Sequence, residues 1–120
     1  MPCKIARVSP GVFQIRAADM PVTMQLCEDT QGNPAVTSTI NTVIVRQIGT
    51  PKPVKGQPTG VTKTAFTLTL PAATYDIRVV ITPLHNCKFA YIFEACSNPQ
   101  FWLLAIDVIE PDGHFRLIVT

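Results

Sequence analysis

Charge is what this chain has least of. Asp, Glu, Lys and Arg make up 15% of its 120 residues, against about a quarter in an ordinary globular protein. Ten basic and eight acidic side chains leave a formal charge of +2, too small to point to nucleic acid by charge alone. Long apolar runs are also missing. The longest, Phe101 to Ile106, has the length of a strand and falls far short of a membrane-spanning helix. The opening MPCKIARVSPGVF lacks a continuous apolar core segment, so no secretory leader is expected. No Asn-x-Ser/Thr acceptor occurs, which leaves a glycosylated exterior without support. Serine occurs only at Ser9, Ser38 and Ser97, and none sits in a Gly-x-Ser-x-Gly nucleophile turn. Gly56 to Gly60 lacks the Lys-Ser/Thr of a phosphate-binding loop. These absences leave no catalytic constellation in view, and a protein that is not an enzyme is the expectation.

What the chain does have is a hydrophobic content of 47%, enough to exclude a disordered tail as its main identity. Its length favours one domain over residues 1–120. A period of two dominates. Phe66, Leu68 and Leu70 alternate with threonines, and after Pro71-Ala72-Ala73 the residues Tyr75, Ile77, Val79 and Ile81 alternate with Asp76, Arg78, Val80 and Thr82. Such alternation in β-branched and aromatic residues means half-buried strands. Cys3–Val8 and Val12–Ala17 read as a hairpin around Ser9-Pro10-Gly11, and Val22, Met24 and Leu26 mark a third strand. Val36–Gln47 reads as a long strand, central because Val43-Ile44-Val45 is apolar on both faces. The aromatic alternation of Phe89, Tyr91 and Phe93 favours a strand over a helix within residues 87–96. Phe101–Ile109 and Phe115–Val119 read as a hairpin across the Asp112-Gly113 turn. The expected fold is all-β: an antiparallel β-sandwich, Greek key, of about eight or nine strands, with a closed β-barrel as the alternative. The expected core comprises Phe13, Ile15, Met24, Leu26, Ile44, Phe66, Leu68, Tyr75, Ile77, Val79, Phe101, Leu103, Phe115 and Leu117.

The segment Leu70-Pro71-Ala72-Ala73-Thr74-Tyr75-Asp76-Ile77-Arg78-Val79 resembles the E-to-F corner of fibronectin type III and other immunoglobulin-like domains. It is also similar to the Leu-Pro-x-x-x-Tyr step of transthyretin-like sandwiches. The resemblance implies a Greek-key sandwich in which the hydroxyl of Tyr75 bonds back to the upstream backbone, as at a tyrosine corner.

Several side chains could carry chemistry. Cys3, Cys27, Cys87 and Cys96 allow two disulfides, with Cys87–Cys96 and Cys3–Cys27 as the pairing expected if they oxidise. The competing reading is that some are small buried hydrophobes. His85, Cys87, Cys96 and His114 match a zinc ligand set by residue type, although His85-x-Cys87 is not the spacing of a paired knuckle. The same residues could form a cysteine–histidine nucleophilic pair, but no strained turn marks one. Asp107, after an apolar run, and Asp76, within a strand, are the acids outside loops that draw notice; each reads more simply as a paired or solvated carboxylate. Arg16, Arg46, Arg78, Lys88 and Arg116, with Phe89 and Tyr91 for base stacking, could line a single-stranded nucleic-acid barrel. They are scattered one per strand, which is how an ordinary solvated exterior also reads.

The leading expectation is a non-catalytic protein–protein interaction or assembly module, such as a subunit of a virion, filament or surface assembly, or an adhesive accessory domain. The partner would be a protein, including a second copy of the chain, with no membrane, no cofactor and no resident metal. Hydroxyl-rich strand faces such as Thr37, Ser38, Thr39, Thr42, Thr62, Thr64, Thr67 and Thr69 suit packing against protein. Two loops are the expected contact elements: residues 49–60, with Lys52, Pro53 and Lys55, and residues 28–34, with Asp29 and Gln31. The alternatives are a small-molecule or metal-binding barrel built on the His and Cys set, and the single-stranded nucleic-acid barrel.

Overall fold

In the computed structural model, residues 5–27, 33, 35–50, 52–82, 88–94, 102–105 and 114–120 are described. Among the described residues nine strands run in chain order: β1 (Ala6–Ser9), β2 (Val12–Ile15), β3 (Val22–Cys27), β4 (Thr39–Gln47), β5 (Ala65–Leu68), β6 (Ala73–Thr82), β7 (Lys88–Phe93), β8 (Trp102–Ala105) and β9 (His114–Val119). They form two open sheets, one of five strands in the order β1-β2-β9-β6-β4 and one of four in the order β5-β3-β7-β8. The protein is an all-β sandwich, not a closed barrel. Every ladder is antiparallel except β2–β9, which is parallel.

The alternation read from the sequence is the alternation that is buried. Phe13, Ile15, Met24, Leu26, Phe66, Leu68, Tyr75, Ile77, Val79, Phe115 and Leu117 all lie in one core cluster between the sheets. Edge-to-face ring pairs hold its aromatic part, with centroids 6.1 Å apart for Phe13 and Phe115 and 5.6 Å for Phe66 and Phe89, inside the range such pairs favour. The β1–β2 hairpin turns where the sequence placed it. Pro10 suits the second position of a tight turn, and Gly11, at φ 72°, supplies the positive φ that the third demands. Residues 87–96 contribute a strand, β7. Tyr75 Oη donates to the Pro71 carbonyl at 2.7 Å, the upstream backbone bond expected at that corner.

Three expectations are overturned. First, Ile44 is half-buried on the outer face, not in the core. The register of β4 against β6 slips between Ile40 and Thr42, and an extra residue in a strand inverts which side chains face inward beyond it. Ile40 and Val45, an odd five positions apart, therefore both reach the core. Second, β4 is an edge strand of its sheet rather than a central one. Its doubly apolar stretch is explained by Ile44 lying in an outer groove beside Arg46, Asp76 and Arg78. Third, the last two strands do not form a hairpin. β8 pairs with β7 in one sheet, whereas β9 lies between β2 and β6 in the other. β9 pairs with β6 along its whole length and with β2 from Arg116 to Val119, while Phe115, Leu117 and Val119 fill the core. Phe101, Leu103 and the Asp112-Gly113 turn lie outside the described residues or side chains.

The proline- and glycine-rich segment closes one side of the sandwich. The edges on that side are β4 and β5. Val54 N–H donates to the Val45 carbonyl at 2.7 Å, and Ile40 N–H donates to Lys63 at 2.7 Å, so both ends of the β4 edge are occupied. Thr59 and Thr67 exchange a pair of backbone bonds at 2.9 and 2.8 Å on the β5 edge, and Gln57 Oε1 accepts from Thr69 N–H. A strap laid along exposed edges blocks strand addition there.

Candidate functional site

Strand pairing assembles what the sequence left scattered. On the outer face of the five-stranded sheet, Arg46 stands opposite Asp76, and Asp76 stands opposite Arg116 on the other side. One row along, Ile44, Arg78 and His114 are opposite one another. Adjacent strands are about 4.8 Å apart and alternate residues about 6.7 Å. Arg46, Arg78 and Arg116 therefore spring from a triangle roughly 8–10 Å on a side, with Asp76 midway along the side from Arg46 to Arg116. All three arginines are exposed, while Asp76 and His114 are half-buried. His114 Nε2 donates to Asp76 Oδ1, which fixes the imidazole against the carboxylate. Ile44, Arg46, Asp76 and Arg78 line a shallow groove of about 290 Å³. Half-buried Val12, Val80 and Ile118 extend the same face with aliphatic surface.

The arrangement follows from strand parity. Within β6, Asp76 and Arg78 share a face because they are two apart; so do His114 and Arg116 within β9, and Ile44 and Arg46 within β4. The inner partners of these strands, Tyr75, Ile77, Val45, Phe115 and Leu117, are locked in the core. The charged face is thus held on three hydrogen-bonded strands rather than on loops, which favours fixed geometry. Three guanidiniums face one carboxylate, so the face is positive. Arg46 and Arg78 make further contacts within the molecule, yet each guanidinium has five N–H donors.

The opposite face of the sandwich differs. The outer positions of β3, β5 and β7 include Thr23, Gln25, Ala65, Thr67 and Ile92, all half-buried, and the Thr23 and Thr67 hydroxyls meet at 3.0 Å. No charged residue stands among these five.

The other sequence candidates fall as follows. His114 faces Asp76, whereas His85, Cys87 and Cys96 lie outside the described residues, as do Cys3, Asp107, Asp29 and Gln31. Among the described residues no three His, Cys, Asp or Glu side chains cluster as metal ligands would. Cys27 is fully buried at the end of β3, its thiol directed to the Gln25 carbonyl at 3.5 Å. Phe89 and Tyr91 are 0% and 3% exposed, so neither offers a ring to a base; the stacking half of the nucleic-acid reading is lost. Arg16 leaves the cluster to approach Asp19, Nε to Oδ2 3.9 Å. Lys52, Pro53 and Lys55 are exposed on the strap, with Pro53 bridged to Arg46. The Arg46–Asp76–Arg116 row was missed because only the order β4-β6-β9 makes these residues neighbours.

Two tyrosines hold the corners. Burial pushes the Tyr75 phenol above its ordinary value. Burial also raises Tyr91, partly offset by the N–H bond that its oxygen accepts from Ile5 at 3.0 Å. That bond ties the chain entering β1 to β7 of the facing sheet. Compared with known proteins, the chain matches no family model, no curated protein and no solved structure.

Proposed function

We propose that the protein is a non-catalytic protein-binding module, an assembly or adhesive subunit, whose contact surface is the outer face of the five-stranded sheet. The observation that carries this reading is the composition of that face. Arg46, Arg78 and Arg116 stand among half-buried Val12, Ile44, Val80 and Ile118 on four neighbouring strands, β2, β9, β6 and β4. Arginine beside aliphatic surface is the mixture that protein interfaces favour. The strap over β4 and β5 supports the same reading, because it directs contact away from that edge and toward the sheet faces. A sandwich of the immunoglobulin-like kind, as the Tyr75 corner suggests, is a common carrier of such surfaces, though fold alone does not carry function.

The experiment is light scattering after size-exclusion chromatography over a concentration series, with and without reductant. A mass rising above 13.1 kDa in wild type, and staying at the monomer in Arg78→Glu, is the expected result for self-assembly through this face. A monomer at every concentration removes the self-assembling form of the reading. Association that Arg78→Glu leaves untouched removes the face.

A further inference from the structure

We infer that the Arg46–Asp76–Arg116 row, with Arg78 and His114, is a docking site for an extended, acidic protein segment that turns carboxylates and aliphatic side chains in turn to the sheet. This rests on the protein-binding reading and specifies the partner's chemistry. Charge complementarity is the first argument. Three guanidiniums to one carboxylate, which also accepts from His114, leave an excess of positive charge on a chain that is otherwise sparsely charged. Spacing is the second. Arginines set roughly 8–10 Å apart suit several separate carboxylates along a segment better than one compact anion. The third is what lies between the charges. Ile44 lines the groove together with Arg46, Asp76 and Arg78, and Val12, Val80 and Ile118 flank it, so alternate residues of a bound strand would meet guanidinium and aliphatic surface in turn.

A nucleic acid is the competing anion, and the face suits it less. Among the described residues it carries no Phe, Tyr or Trp ring for base stacking, since Phe89 and Tyr91 are in the core.

The test uses the full chain and fluorescence anisotropy with a labelled nonapeptide, Glu-Ser-Val-Ser-Glu-Ser-Val-Ser-Glu, which when extended turns glutamate and valine in turn to one side, with a labelled oligo-dT of similar charge as the rival probe. Wild type is expected to bind the peptide saturably and to prefer it to oligo-dT. Raising the salt and the double change Arg46→Glu/Arg116→Glu should each weaken binding roughly tenfold or more. Gln25→Glu, on the opposite face, should leave it unchanged. In case the double variant folds poorly, amide chemical shifts of wild type supply an independent readout. Residues 44, 46, 76, 78, 114 and 116 should move on adding peptide, and residues 23, 25, 65 and 67 should not. Absence of saturable binding, binding indifferent to the arginine changes, shifts confined to the opposite face, or tighter binding of oligo-dT would each overturn the inference. Light scattering on the same samples separates the two readings. Self-association that Arg78→Glu abolishes, with the peptide ignored, would sink the acidic segment and keep the protein-binding face; loss of both would sink both.

Discussion

Tyr91 and Tyr75 each use a phenolic oxygen to fasten a backbone group, and replacing each by phenylalanine should cost unequal amounts. Tyr91 Oη accepts the N–H of Ile5, a residue only 5% exposed. Tyr91→Phe would leave that buried donor without its partner, and stranding a buried backbone group costs about 1–3 kcal/mol. Tyr75 Oη instead donates to the carbonyl of Pro71, which is an exposed residue. Water can replace the lost donor there, so Tyr75→Phe should cost only the net value of one hydrogen bond, about 0.5–1.5 kcal/mol. The rings keep their packing in both variants, which removes the cavity penalty from the comparison. For a chain of this length, 1 kcal/mol corresponds to a midpoint shift of about 4 °C. Urea denaturation at neutral pH measures the difference directly. The same pair predicts an alkaline limb. Both phenols are raised above 10.0 by burial, so the folded state holds these protons more tightly than the unfolded state. The stability involved is complete below pH 10 and is lost as pH climbs through the raised values. Each variant removes one such group and should show a shallower alkaline loss than wild type. Equal losses at neutral pH, or a larger loss for Tyr75→Phe, would refute the reasoning, because solvent access to the orphaned group would then not decide the cost.

The parity inversion in β4 predicts that Val45→Thr, which puts a hydroxyl into the core, costs about 1–3 kcal/mol, whereas Ile44→Thr on the outer face costs under about 1 kcal/mol; thermal melts of the two proteins check the order. Hydrogen exchange should find the amides of Val54, Thr59 and Thr67 protected and those of Lys52 and Lys55 fast, since the former three donate bonds between the strap and the strand edges. Val54→Pro deletes the N–H that reaches Val45 and should uncover the β4 edge, raising aggregation measured by light scattering on heating; an unchanged aggregation rate would mean that the strap does not guard that edge.

Local pattern carried the strands, and pairing carried almost everything else. Phe66 and Leu68, or Tyr75, Ile77 and Val79, announce an inward face because side chains alternate along a strand whatever its neighbours are. Ile44 misled because one extra residue between Ile40 and Thr42 inverts that alternation, and no residue type there marks a bulge. The hairpin expected between β8 and β9 failed for a related reason. An Asp-Gly turn reports that the chain bends, not which edge the next strand will find, and β9 found the slot between β2 and β6. The candidate site was illegible for the same cause on a larger scale. Arg46, Arg78 and Arg116 are separated by more than thirty residues each, and each alone is an ordinary surface arginine. They become one surface only because β6 lies between β4 and β9, a choice set by how the two sheets close over their shared core. A face assembled this way depends on register. A slip of one residue in β9 would send Arg116 and His114 inward and Leu117 outward, so the core that fixes the fold also fixes which charges stand together.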